Sequence, residues 1–344
     1  MTHSRRAFLT TALGAALLPL CTPVSGNASI AGTTPLNAIL PRDYVPPKPS
    51  SDYEFKLIRA TLDVVQEHYS GRNLPVWGKR LDEIDLEKRV SNIIYWLVRG
   101  VNEHKKVYPV DPAWLVAQIM AESFFYEFAV SPAFAVGVCQ FVPTTALSYK
   151  MRLYNHEKGG LKIALPEEAA SYVKYSKLRQ ELWQLRNDNR EYRGNEAKQL
   201  KTLLQSIREG LEIPDVDKRL RFLTIQEELE EKLKAAREGY IGFLKANFEG
   251  RSIFNKNDLA FLSAFDERVT YRKPVFAMAE MMAGALRARN GNILAAASGY
   301  NAGLSTTQDI GVYKPFGRIP NITETSTYVS RIFINHHQIV SRMG

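Results

Sequence analysis

Residues 111–146 read DPAWLVAQIMAESFFYEFAVSPAFAVGVCQFVPTTA, and within them Glu122 stands where general acid–base chemistry could use it. Asp111 can cap a helix opened by Pro112, which loses no hydrogen bond in a first turn. Leu115, Ile119 and Glu122 then fall on one face, at spacings of four and three. The carboxylate therefore comes near the end of an otherwise apolar helix, beside Phe124 and Phe125. An ionised carboxylate is costly in apolar surroundings, and such a group keeps its proton to higher pH. A carboxylic acid still protonated near neutrality can protonate a leaving oxygen. Spacing alone is weak evidence, since a glutamate on a helix is usually a surface residue.

The elements that must position this residue read as helices. Leu57, Ile58, Leu62 and Val65, and then Val90–Val101, show apolar spacings of three and four. Alternating runs bounded by tight turns are scarce, so the expected class is mainly α. Residues 32–52 contain Pro35, Pro41, Pro46, Pro47 and Pro49 and read as an extended tether. Residues 165–250 are dense in Lys, Arg, Glu and Gln, with apolar residues at heptad-like intervals. One run is Tyr175, Leu178, Leu182, Leu185, Leu200, Leu203, Ile207 and Leu211. The other is Phe222, Ile225, Leu229, Leu233, Ala236, Tyr240 and Phe243. Glu212-Ile213-Pro214-Asp215 separates them, so two helices with mutually buried stripes would form an antiparallel coiled-coil hairpin. That arm reads equally as a stabilising insertion and as a partner-binding module.

The chain has 344 residues, 45% hydrophobic and 24% charged, the mix of a sequence that folds around a core. Two cysteines, Cys21 and Cys139, exclude a disulfide framework and a Cys-rich metal site. The net charge is +9, of which Arg5 and Arg6 supply two, leaving about +7 if that segment is removed. This suits an anionic partner without choosing one. The arm is nearly as acidic as basic, so no continuous basic stripe for nucleic acid is present. Residues 1–31 read as an export signal: Ser4-Arg5-Arg6-Ala7-Phe8-Leu9 leads into an apolar run ending at Leu20, too short to span a bilayer. The paired arginines resemble a twin-arginine signal, which places the protein in the periplasm. A lipid anchor on Cys21 is disfavoured, because Leu20 occupies a position that is normally small. No segment of the remaining chain is apolar enough to cross a membrane.

Three blocks carry a resemblance. The first is Glu122-Ser123-x-Phe125, Ala129-Val130-Ser131 and Gly137-x-x-Gln140-x-x-Pro143-x-Thr145-Ala146. The second is Ser298-Gly299-Tyr300-Asn301-Ala302-Gly303, and the third Glu324-Thr325-x-x-Tyr328-Val329. Together and in this order they resemble the Slt-type (family 1) peptidoglycan lytic transglycosylases, over residues 105–150 and 258–340. The resemblance implies a mainly helical, lysozyme-like catalytic domain. The domain would be split into 53–150 and 258–344 around a charged hairpin insertion at 151–257. It implies cleavage of the β-1,4 bond between N-acetylmuramic acid and N-acetylglucosamine in peptidoglycan strands, with a 1,6-anhydro product and no cofactor or metal. By the same resemblance Glu122 is the single acid/base and Ser131 hydrogen-bonds near it and the substrate. Gln140 contacts substrate, Tyr300 brings its hydroxyl toward the acid and the N-acetyl group, and Glu324 lines the cleft. Asn301 matches its box but reads equally as a turn or packing residue.

Other residues read as structural. Ser123 ends the helix. Cys139, flanked by Val138 and Phe141, is packing, although it and Val142 stand where the family places longer side chains lining the cleft. His336-His337 reads as a surface pair, not a metal site. A hydrolase of the two-carboxylate kind needs a second Asp or Glu at roughly 5–9.5 Å. Glu127 lies about 140° around a continued helix and would not share the cleft. Asp309 and Glu324 stay open on sequence alone. The readings that remain beside a transglycosylase are a lysozyme-type hydrolase and a non-catalytic wall-binding scaffold whose arm recruits a partner.

Overall fold

The computed structural model describes residues 38–71, 80, 83–153, 171–192, 196–212 and 215–344. The export signal, Cys21 and the Ile213-Pro214 break lie outside the described residues. The described chain is mainly helical, consistent with a lysozyme-like domain, and its extended contacts are isolated bridges. It divides into two compact units, Met1–Leu161 with Gly250–Gly344, and Lys162–Glu249.

The first unit contains α1 (Ser51–Tyr69), α2 (Leu86–His104), α3 (Pro112–Ser123), α4 (Pro143–Ser148), α8 (Lys256–Phe265), α9 (Arg272–Ala288), α10 (Ile293–Ala302) and α11 (Thr323–Val340). At its centre is α3, buried at every position from Pro112 to Met120. A helix apolar on all sides has no solvent face to offer and must be enclosed. Each of its large side chains, such as Leu115, Ile119 and Met120, contributes about 1.5–3 kcal/mol by leaving water. Its start follows the sequence expectation: the Asp111 Oδ1 accepts from the Ala113 N–H at 2.9 Å, with Pro112 in the first turn. One side of α3 packs on α11 and another on α2, while α2 crosses α9. At that crossing a Cβ on Gly100 would lie 3.4 Å from the Phe276 Cα, so the two backbones approach closely.

The proline-rich segment is extended but anchored over residues 38–50. Leu40 N–H donates to the Gly291 carbonyl at 2.9 Å, and Tyr108 and Asn102 donate to the Leu40 and Pro47 carbonyls, both at 2.8 Å. Proline forbids helix here but leaves carbonyls that neighbouring side chains can bond.

The second unit contains α5 (Ser171–Asp188), α6 (Glu196–Arg208) and α7 (Val216–Phe248). Helix α5 lies antiparallel on α7, as the pairs Tyr172–Tyr240 (ring centroids 5.2 Å) and Arg186–Gln226 (3.4 Å) require. An ion pair from Arg186 to Glu230 supports them. Tyr175, Leu178 and Leu182 of α5 and Leu233, Ala236 and Tyr240 of α7 are buried, as the heptad pattern predicts. The rest of the expected hairpin differs. The first helix breaks after Asp188, and of the expected run Leu200, Ile207 and Leu211 are 56–60% exposed, as is Leu204 beside them, while Leu203 is half-buried. The physical reason is local. Asn187-Asp188-Asn189 compete for the backbone, and the Asn189 side chain donates to the Leu185 carbonyl at 2.7 Å, so the helix gives way to a 3₁₀ turn at Arg190–Tyr192.

Candidate active site

Glu122 occupies the last full turn of α3 and is half-buried. The helix stops one residue later because Phe124 and Phe125 both turn left-handed, with φ of 49° and 65°. Non-glycine residues in that region carry strain, and two in succession persist only where surrounding contacts hold them. Part of that hold comes from Ser123, fully buried, whose hydroxyl donates to the Val138 carbonyl at 2.9 Å. The end of α3 is thus stitched to the loop 129–141, and Ser123 acts as the helix-ending residue expected.

Arg268 shapes that loop. Its guanidinium is 1% exposed, donates to the Phe134 and Phe141 carbonyls at 2.7 and 3.0 Å, and forms a paired contact with Asp266 at 2.9 and 2.6 Å. The Arg268 carbonyl in turn comes so near Gly137 (φ 84°) that a Cβ there would sit 1.9 Å from it. Glycine is required both for the backbone angle and for this approach. Sequence reasoning did not single out Arg268, because a lone arginine between an acid and a valine carries no local signal.

Tyr328 on α11 touches the candidate acid. Its hydroxyl donates to Glu122 Oε1 at 2.6 Å, across 206 residues of chain. Burial, and then the facing Glu122 carboxylate, push the Tyr328 phenol well above its ordinary pKa, so it remains a donor through the physiological range. Tyr328 was quoted in the third block without a role. Its spacing of four from Glu324 is the signal that could have found it. Replacing Tyr328 with phenylalanine should lower kcat/KM by about 10- to 100-fold, the worth of a hydrogen bond to a charged group. A donor to the carboxylate favours its ionised form, so removing it should also move the alkaline limb of the kcat/KM profile to higher pH. An unmoved limb would reduce Tyr328 to a packing residue.

The expected site residues take distinct places. Tyr300, on α10, is buried and donates to the Cys139 carbonyl at 2.6 Å, stacking obliquely on Phe141 with centroids 5.9 Å apart. Tyr328, 2.6 Å from the acid, stands close enough to Tyr300 for the two phenols to act on each other. Gln140, left-handed at φ 47°, directs both amide hydrogens to backbone, the Gly137 carbonyl at 2.8 Å and the Ala129 carbonyl at 3.1 Å. Its Oε1 is the atom left to meet a sugar hydroxyl or amide. Ser131 Oγ accepts from the Ala133 and Ala135 N–H groups at 3.2 and 3.0 Å, so its remaining capacity is to donate. Asn301 Oδ1 accepts from the Thr325 hydroxyl at 2.8 Å and joins α10 to α11. Glu324 is exposed in the first turn of α11, one turn or about 6 Å before Tyr328 along the axis. Its partial loss of water pushes its carboxyl up from the ordinary value.

Two structural readings change. Glu127 is not on a continued helix. It is fully buried and bound bidentately by Arg89 at 2.8 and 2.8 Å, with the Tyr271 hydroxyl donating at 3.1 Å. That commitment removes it as a partner for Glu122, for a different reason from the helical angle. The Cys139 side chain is fully enclosed, the packing residue expected, and burial followed by the Glu122 carboxylate pushes its thiol pKa well up. His336 is not a surface residue: it is buried against Trp114 (centroids 5.3 Å), with Nε2 2.6 Å from Asp111 Oδ2. The i, i+4 register that puts Tyr328 on α3 carries His336 inward too. Among the described residues no cluster of His, Cys, Asp or Glu could hold a metal ion, and no helix is long and apolar enough to cross a membrane.

Residues 100–172 match the family model of the transglycosylase SLT domain. The match covers α3 and the loop with Gln140 and supports a transglycosylase-type enzyme acting on peptidoglycan, hence an extracytoplasmic place of action. The blocks around Tyr300 and Glu324 lie beyond it. No curated protein and no solved structure gives a significant match.

Proposed function

We propose that the chain is an exported lytic transglycosylase of the Slt type that cleaves the MurNAc-β-1,4-GlcNAc bond with Glu122 as single acid/base. The observation that carries this is the Glu122–Tyr328 contact at the end of the buried helix α3; Glu122 lies inside the residues that match the family model and Tyr328 beyond them. In the reaction Glu122 protonates the glycosidic oxygen and the C–O bond to the anomeric carbon breaks. The substrate's N-acetyl group stabilises the cationic sugar. The Glu122 carboxylate then takes the proton of that sugar's 6-hydroxyl, whose oxygen closes on the anomeric carbon. One proton is lent and one recovered, and no water is consumed. Gln140, Ser131, Asn301 and Glu324 serve as glycan-side residues, and Tyr300, buried against the Cys139 carbonyl, supports the loop behind them. Digestion of purified sacculi tests the reading: released anhydromuropeptides support it. Glu324, close to Tyr328, is what would favour a two-carboxylate hydrolase, and reducing-end muropeptides would move the protein there. Binding to sacculi without release would leave a scaffold.

The paired arginines at Arg5-Arg6 support twin-arginine export to the periplasm, with Cys21 lost in the signal. The exposed stripe of Leu200, Leu204 and Ile207 supports a role for the arm in engaging a protein partner. Replacing residues 165–250 by a short linker should then leave glycan cleavage by the purified protein within about twofold. Loss of cooperative unfolding on deletion would instead make the arm structural.

A further inference from the structure

We infer that Gln118 is a positioning residue that holds the Tyr328 hydroxyl on the candidate acid, an inference that rests on the reading of Glu122 given above. Gln118 lies one turn before Glu122 on the same face of α3 and is fully buried in a stretch otherwise built from apolar side chains. Neither its Nε2 nor its Oε1 has a hydrogen-bond partner. Burying an amide with both ends unmatched costs stability that a leucine or methionine would not, so folding alone does not account for it.

The register of the two helices says what the amide faces. Helices α3 and α11 run antiparallel, fixed by the Asp111–His336 contact at one end and the Glu122–Tyr328 contact at the other, both 2.6 Å. Gln118 lies between them and meets the Tyr328–Ile332 turn of α11. Ile332 is apolar and fully buried, so the Tyr328 hydroxyl is the group in that turn with which an amide can bond. Tyr328 spends its O–H on Glu122, and its oxygen keeps lone pairs that accept. An N–H from Gln118 onto that oxygen polarises the phenol and strengthens its donation to the carboxylate. The amide already acts on the phenol, pulling its pKa down against the burial that raises it, although the contact falls outside full hydrogen-bond geometry; hydrogen bonds around catalytic groups commonly tighten once substrate is in place.

Gln118→Met keeps the length of the side chain and removes the amide. Its kcat should fall by about tenfold with KM within about twofold, while Tm is unchanged or raised. In a Tyr328→Phe background the same substitution should have no further effect, because the hydroxyl it acts through is gone. Additive losses in the double variant would overturn the assignment. A second readout does not depend on turnover: in protein labelled at tyrosine Cζ, Gln118→Met should shift the Tyr328 resonance. If sacculi stay intact with the wild-type protein, the Glu122 reading fails by itself and the resonance alone decides. A shift then supports the Gln118–Tyr328 link, and an unchanged resonance overturns it.

Discussion

Glu122→Gln should abolish release of anhydromuropeptides, lowering kcat by at least about 10²–10⁴-fold, the range that one positioned acid–base group supplies. The substitution keeps the side-chain shape, and its Oε1 can still accept the Tyr328 hydroxyl now 2.6 Å away. Thermal unfolding should therefore stay within about 2 °C of wild type, since the half-buried side chain keeps its bond to Tyr328. Binding to sacculi should persist, because the change touches the proton and not the glycan contacts. A variant that folds, binds and still turns over would remove Glu122 from the chemistry, and no other residue described above could take the role without a different mechanism.

The largest structural effect is expected at Arg268. Arg268→Met leaves the Asp266 carboxylate, itself 1% exposed, without its buried cation, and leaves the Phe134 and Phe141 carbonyls without their donor. Breaking a buried pair on one side costs about 3–5 kcal/mol. For a unit of this size that corresponds to a fall in Tm of about 10 °C. Activity should drop with it, because the same guanidinium sets the loop that carries Gln140 and meets Ser123. Removing both charges, as Arg268→Met with Asp266→Leu, should recover much of the stability. Calorimetry of the two variants separates the outcomes: a single variant within about 1 kcal/mol of wild type would mean that the pair does not hold the loop.

What the sequence disclosed and what it hid have physical reasons. The α3 start at Asp111-Pro112, the apolar run and the acid at its end are local features, set by capping and by 3.6-residue spacing, and they stand where expected. The long-range partners were harder. Arg89 and Tyr271 reach Glu127 from 38 and 144 residues away, and nothing in the spacing of either announces the contact. Tyr328 sits 206 residues from Glu122, and only the packing of α11 on α3 brings its hydroxyl to 2.6 Å from the acid. The arm misled in a different way. Its heptad spacing continues through Leu200, Leu203 and Ile207, but a periodic stripe states that a face wants covering, not what covers it.

The central claim is that the bond is broken without water, and digestion of sacculi in ¹⁸O-water tests it most directly. If Glu122 lends and reclaims a proton while the sugar's own 6-hydroxyl closes the ring, mass spectrometry of the released fragments will show 1,6-anhydro ends carrying no ¹⁸O. Reducing ends that carry the label would mean that water attacks the anomeric carbon, and the one-carboxyl account would be wrong.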